Sequence, residues 1–145
     1  MQHIISPFHL AVPIVDMDAT RRFYGTLLEC AEGRSTDAWI DWNFFGHQLS
    51  THLRPQETTE ISAATVDGKQ VPCRHFGIVL PWGQWHALKD RLYAHKEAYN
   101  LTFIIEPYIR FEGQVGEQAT MFFLDPSGNA LEFKSFKDPS QLFAV

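Results

Sequence analysis

The sequence predicts an α+β fold made of two similar halves, and three observations carry that expectation. Short apolar runs that read as β-strands are interrupted by only two helix-like stretches. The order of these elements repeats: strand, helix, then a run of strands, over residues 6–53 and again over 73–136. Such a repeat is the mark of a duplicated supersecondary unit. Finally, His9, His75 and Glu132 each lie inside an apolar run, where an ionisable side chain is costly to bury without a partner.

Residues 8–15 read as the first strand. Asp16 or Asp18 then caps a helix to about Leu28, with Phe23, Leu27 and Leu28 on its buried face. Residues 39–44 alternate apolar and polar, as a half-buried strand does. A turn at Phe45-Gly46 leads into 47–53, which alternates in the same way. Residues 54–72 are polar and carry Pro55, Asp67-Gly68 and Pro72, which suits a connector with its turn at Asp-Gly. Strand character returns over 75–80. Pro81-Trp82-Gly83 opens a second helix to about Ala98, with Trp85, Leu88 and Leu92 spaced for burial. Residues 101–105 form a short strand, and 106–117 a loop holding Pro107, Gly113 and Gly116. Residues 119–124 and 129–136 make a hairpin around Asp125-Pro126-Ser127-Gly128, followed by a tail over 137–145.

Bulk properties narrow the class of function. The 145 residues fit one domain or two small, closely packed halves, and a composition 45% hydrophobic and 14% aromatic supplies a core. The net charge of −5 and a pI near 5.7, with no basic stripe, argue against a nucleic-acid partner. Cys30 and Cys73 lie far apart without CxxC spacing, so neither a disulfide framework nor a zinc knuckle is expected. The first residues show no signal-peptide pattern, and no apolar run has membrane-spanning length. A cytoplasmic protein is the expectation.

Side-chain alternation aims the ionisable residues. In the last strand Leu131 and Phe133 take the core face and Glu132 the opposite, concave face. The same parity sends Leu49, Thr51 and Leu53 to the core, and Gln48, Ser50 and His52 to the cavity. His9 and His75 hold corresponding places in their halves, and His52 and Glu132 both lie on last strands. Counting instead from the turn glycines Gly46 and Gly128 sets Ser50 opposite Glu132. Two imidazoles and a carboxylate converging on one cavity would hold a divalent cation and leave positions open for chemistry. His52 is read as an acid–base residue, a cavity-wall residue or a fourth ligand. Arg110 reads either as a planar fork suited to an anionic substrate group or as a surface loop arginine. His3, His47, His86 and His95 read as structural or solvent-facing, and Trp39 and Trp42 as core or interface residues.

Four stretches make the chain resemble the vicinal oxygen chelate superfamily, which includes glyoxalase I, extradiol ring-cleaving dioxygenases and the bleomycin- and fosfomycin-resistance proteins. They are Phe8-His9-Leu10-Ala11-Val12, Phe23-Tyr24-Gly25-Thr26-Leu27-Leu28, His75-Phe76-Gly77-Ile78-Val79 and the run from Phe122 through Asp125-Pro126-Ser127-Gly128-Asn129 to Glu132-Phe133. The stretches Phe44-Phe45-Gly46-His47-Gln48-Leu49, Glu106-Pro107-Tyr108-Ile109-Arg110-Phe111 and 116–125 resemble small extradiol-type dioxygenases within it. The resemblance implies two βαβββ modules, each an incomplete barrel around a metal. It implies His9, His75 and Glu132 as ligands of a divalent metal, Fe(II) for a dioxygenase and Mn, Ni, Zn or Co for an isomerase.

For an extradiol enzyme the resemblance implies His52 as the acid–base residue, with Gln48, Ser50, Tyr108, Arg110 and Phe122 around a catechol-like small molecule. Such enzymes commonly carry Tyr where this chain has Phe122, with Tyr108 and Arg110 nearby to compensate. The alternatives are a glyoxalase-type isomerase or lyase, and a metal-free binder of the resistance type. A homodimer is compatible with the family and with the apolar end Leu142-Phe143-Ala144-Val145.

Overall fold

The computed structural model describes residues 5–57, 63–66 and 69–145, the middle segment as backbone. The chain forms two compact units, Met1–Thr59 and Glu60–Val145. Both mix a sheet with a helix. His3 and the expected turn Asp67-Gly68 lie outside the described residues.

The first unit runs β1 (His9–Ile14), α1 (Met17–Thr20), a π-helical turn (Arg21–Leu27), β2 (Ala31–Ser35), β3 (Trp39–Phe44) and β4 (His47–Leu53). Its sheet has the order β1-β4-β3-β2, with β1 parallel to β4 and the rest antiparallel. Asp16 is the cap of α1, since its side chain accepts from Ala19 N at 2.6 Å. The helix then widens, with Leu28 N donating to Phe23 O at 3.0 Å. This i→i−5 winding brings the neighbours Phe23 and Tyr24, and again Leu27 and Leu28, into the core together. They meet Trp42, whose indole N–H donates to Thr51 Oγ1 at 3.0 Å, so its polar edge is satisfied while the ring is buried.

The second unit runs β5 (Ala63–Val66), β6 (Lys69–Pro72), α2 (Trp82–His95), β7 (Phe103–Arg110), β8 (Gln118–Leu124) and β9 (Ala130–Phe136). β7, β8 and β9 form an antiparallel sheet, and β5 pairs with β6. Segment 76–79 lies parallel to β9 through bridges Phe76–Leu131 and Val79–Lys134. The order 76–79, β9, β8, β7 thus repeats the order β1, β4, β3, β2. Trp85 of α2 is buried and donates from its indole N–H to Phe133 O at 2.8 Å, seating the helix on β9. At ~25 cal/mol per Å² and ~150–250 Å² of area, one such buried aromatic contributes ~4–6 kcal/mol before entropy is counted.

Several local expectations are corrected. β2 falls between the expected helix and the strand at 39–44; it is an edge strand with every residue exposed, so it carries no apolar alternation to read. Within the connector β5 and β6 pair as antiparallel strands. Segment 75–80 makes isolated bridges in place of a full strand. The loop expected over 106–117 begins later, because β7 continues to Arg110. Pro107 is accommodated where the register with β8 shifts, a bulge that needs no N–H from proline. Helix α2 stops at His95, three residues short of Ala98.

Candidate functional site

The hairpin turn between β8 and β9 fixes the site's carboxylate. Asp125 is buried, and its Oδ1 accepts from Ser127 N at 2.9 Å and Asn129 N at 2.8 Å, while Oδ2 accepts from Asn129 Nδ2 at 2.8 Å. Gly128 takes a φ of +86°, which a side chain would resist. The turn sets the β8–β9 register, which places Phe122 beside Glu132, Thr120 beside Lys134 and Gln118 beside Phe136. Across the other seam β7 adds Ile105, Tyr108 and Arg110 to these three rows.

His75 meets Glu132 here. The two side chains approach at 3.1 Å between Nε2 and Oε2, with only 12% of the Glu132 side chain exposed. His75 Nδ1 lies 2.5 Å from Pro72 O, and Thr120 Oγ1 donates to Glu132 Oε1 at 2.8 Å. A carbonyl only accepts, so Nδ1 carries a proton. That leaves Nε2 as a lone pair facing a second acceptor, the carboxylate. This arrangement is satisfied by a second proton on the ring or by a cation between the two groups. A metal-ligating histidine is held in the same way, through its other nitrogen by a carbonyl. His75 and Glu132 therefore fit as two donors to a divalent cation, with Pro72 O and Thr120 orienting them. Among the described residues no three His, Cys, Asp or Glu side chains are grouped together.

The pair lies in a pocket of about 210 Å³ within the second unit. Val71, Ile105 and Phe122 form its buried apolar cluster. The Phe122 ring packs edge-on to His75 at 5.0 Å. Tyr108, Arg110 and Lys134 complete the lining. Lys134 Nζ is 3.6 Å from Glu132 Oε1. Tyr108, Arg110 and Phe122 are thus brought to the His75–Glu132 pair, the first two from a strand and not from a loop.

The first unit carries the other expected residues on one face of its sheet. His9 is beside Gln48, Ala11 beside Ser50 and Pro13 beside His52. Comparing this ladder with the bridges of the second unit resolves the equivalence. With His9 matched to His75, Leu49 matches Leu131, Ser50 matches Glu132 and His52 matches Lys134. His52 is therefore not the counterpart of Glu132; Ser50 is. Asp41 lies beside Ser50, where the second unit has Phe122 beside Glu132. Its Oδ1 accepts from Ser50 Oγ at 2.5 Å and its Oδ2 from Gln48 Nε2 at 3.4 Å. Gln48 and Ser50 are thus tied to a carboxylate. His47 is structural, since its Nδ1 accepts from Phe8 N at 2.8 Å.

Asp41, Thr120 and Lys134 were not singled out from the sequence. Each was within reach of the parity that placed Glu132, because Lys134 lies two residues beyond it and the other two follow from hairpin pairing.

No family model matches the chain, and no curated protein matches it. Solved structures do. A glyoxalase/bleomycin resistance protein/dioxygenase from Alicyclobacillus acidocaldarius is 33% identical, over 99% of this chain and 100% of that one, with a TM-score of 0.75. The fosfomycin resistance protein FosX from Listeria monocytogenes is 13% identical, covering 96% and 98% with a TM-score of 0.65. A lactoylglutathione lyase from Agrobacterium tumefaciens is 15% identical, covering 99% and 100% with a TM-score of 0.61. The last two share the fold.

Proposed function

The chain belongs to the glyoxalase/bleomycin resistance/dioxygenase family, the vicinal oxygen chelate superfamily, and from that premise we propose that it is a metal-dependent enzyme acting on a small molecule with two adjacent oxygens, an extradiol-type dioxygenase. The observation that carries the proposal is the approach of His75 Nε2 to Glu132 Oε2 at 3.1 Å, with the opposite ring nitrogen on a carbonyl.

In this reading His9, His75 and Glu132 hold the cation, Fe(II) for a dioxygenase. When bound, the ion supplies Lewis acidity to adjacent substrate oxygens and, as Fe(II), redox chemistry with O2. Pro72 O keeps the His75 ring turned, and Thr120 keeps one Glu132 oxygen occupied so that the other is presented. Phe122, Ile105 and Val71 exclude water and give the substrate body an apolar wall. His52, on the face shared by Ser50 and Gln48, takes the proton of a substrate hydroxyl. Asp41 and Ser50 line that face as a hydrogen-bonded pair, and neither is asked to hold metal.

A second reading has an observation of its own. Phe122 stands directly beside Glu132 and offers no hydroxyl, which favours a glyoxalase-type isomerase or lyase using Ni, Zn, Mn or Co. Anaerobic purification, metal analysis, reconstitution with Fe(II) and O2 uptake over a panel of catechols separate the readings. Metal binding with catechol-dependent O2 uptake supports the dioxygenase, and metal binding without it supports the isomerase. No metal under any condition sinks both and leaves a metal-free binder. His52→Ala is expected to retain metal and lose turnover by ~10²–10⁴-fold; unchanged turnover removes His52 from the chemistry.

A further inference from the structure

We propose that Lys134 holds the ionised oxygen of the substrate, a binding role filled by none of the three expected metal ligands and not by His52. The inference rests on the metal reading, which puts the substrate's adjacent oxygens beside Glu132. Lys134 is not a solvated surface lysine. Its side chain is 33% exposed and lines the pocket that holds His75 and Glu132. Nζ stands 3.6 Å from Glu132 Oε1, beyond hydrogen-bond length. Among the described residues that carboxylate is its one ion-pair partner, and the ammonium makes no hydrogen bond. An ammonium carries three donors, so all three remain for water or a ligand.

The carboxylate has no room to draw the ammonium closer. Oε1 takes its hydrogen bond from the Thr120 hydroxyl at 2.8 Å, and Oε2 faces His75. The Lys134 backbone is pinned as well, its N donating to Ile78 O at 3.1 Å and its O accepting from Leu80 N at 2.8 Å. Lys134 lies two residues beyond Glu132 on β9, on the same face and ~7 Å further along the strand. The matching register position of the first unit is His52. An imidazole there suits taking a proton, whereas a lysine offers a compact positive charge with donors only. One register position thus supplies a proton acceptor in one unit and an anion holder in the other.

The chemistry of the ligand fits the donor. A substrate oxygen that has lost its proton has lone pairs and negative charge and nothing to donate. A charge-assisted hydrogen bond to it is about twice as strong as one to a neutral hydroxyl. The other charged or titratable groups lining the pocket are His75, Glu132, Tyr108 and Arg110. His75 and Glu132 are committed to the cation in the metal reading. Arg110 is in the row beside Gln118, one beyond the row of Tyr108, Thr120 and Lys134. Lys134 itself moves no proton; it donates to the anion that proton removal leaves. Its charge has the same sign as the bound ion. It therefore opposes the ion's hold and favours the anion's, and the two effects of removing it are opposite in sign.

The probe is 4-nitrocatechol, whose visible absorbance reports ionisation of its hydroxyl. It is titrated over pH into Zn(II)-loaded parent, Lys134→Met and Lys134→Arg, and zinc affinity is read by competition against a chelating dye. Lys134→Met is expected to raise the apparent pKa of the bound probe by about one unit, a roughly tenfold weaker hold on the anion. The same variant is expected to bind zinc as tightly as the parent or tighter. Lys134→Arg is expected to restore most of the shift, and circular dichroism confirms that each variant is folded. A bound-probe pKa unchanged in Lys134→Met, a parent that does not bind the probe as its anion, or a joint loss of zinc and probe affinity in Lys134→Met overturns the proposal. Zinc analysis of the same samples keeps the two readings apart. A parent that takes up no zinc overturns the metal reading and this proposal with it, whereas a zinc-loaded parent whose probe ignores Lys134 overturns the role of Lys134 alone.

Discussion

Gly77→Ala strikes the seam on which the site is built. A Cβ at residue 77 falls 1.6 Å from Glu132 O, 2.6 Å from its carbonyl carbon and 3.2 Å from its nitrogen. All three are backbone atoms, so no side chain can swing aside and the segment must part from β9. The bonds at stake are Phe76 N to Ala130 O (3.2 Å), Glu132 N to Phe76 O (2.8 Å), Lys134 N to Ile78 O (3.1 Å) and Leu80 N to Lys134 O (2.8 Å). At ~0.5–1.5 kcal/mol each, their loss amounts to ~2–6 kcal/mol. That is a large part of the ~5–15 kcal/mol that holds a domain together. The same segment carries His75, so bound metal is expected to fall with stability. Urea unfolding followed by tryptophan fluorescence, with metal analysis of the folded fraction, measures both. Gly83→Ala is the control, since a Cβ there meets nothing within 4 Å; it is expected to leave stability unchanged or slightly raised. A Gly77→Ala protein within ~0.5 kcal/mol of the parent, with full metal content, refutes the reasoning.

Two more outcomes follow. Thr120→Val keeps the shape of a buried side chain but removes the hydroxyl that donates to Glu132 Oε1; metal affinity is expected to drop ~10–100-fold with the fold retained, and an unchanged dissociation constant in competition against a chelating dye contradicts it. Burial pushes the Cys30 thiol up to about 12, whereas Cys73 is exposed. At pH 8 a thiol-specific chromogenic reagent is therefore expected to label one cysteine of two in the native protein and both in denaturant. Because the folded-state value is the raised one, the stabilising contribution of Cys30 is complete below the ordinary thiol value of ~8.5 and is lost as pH climbs toward 12. Cys30→Ala is expected to flatten that alkaline decline, and two fast-reacting thiols in native protein would contradict the burial.

The duplicated order of elements was legible because each half repeats the same apolar alternation around one helix. The faces were legible too: Glu132 opposite Leu131 and Phe133, and Gln48, Ser50 and His52 opposite Leu49 and Thr51, follow from parity alone. Register was not, because parity is blind to a shift of two residues. His52 and Ser50 satisfy it equally, and only the ladder between β1 and β4 decides for Ser50 as the match to Glu132. β2 was hidden because an exposed edge strand has no buried face to announce it. β7 was cut short because proline ordinarily ends a strand, and the bulge beside Pro107 is set by pairing to β8, not by local sequence. Asp41 passed for a polar residue between two tryptophans, since its partners Ser50 and Gln48 lie on another strand.

The central claim is that His75 and Glu132, with His9, hold one divalent cation. The direct measurement is metal stoichiometry after anaerobic reconstitution and desalting, on the parent protein and on His9→Ala, His75→Ala and Glu132→Ala. About one ion per chain in the parent and near none in each variant is the expected result. A full complement of metal in any of the three variants, with the fold intact by circular dichroism, contradicts that residue's place in the centre, and full retention in both His75→Ala and Glu132→Ala contradicts the site itself.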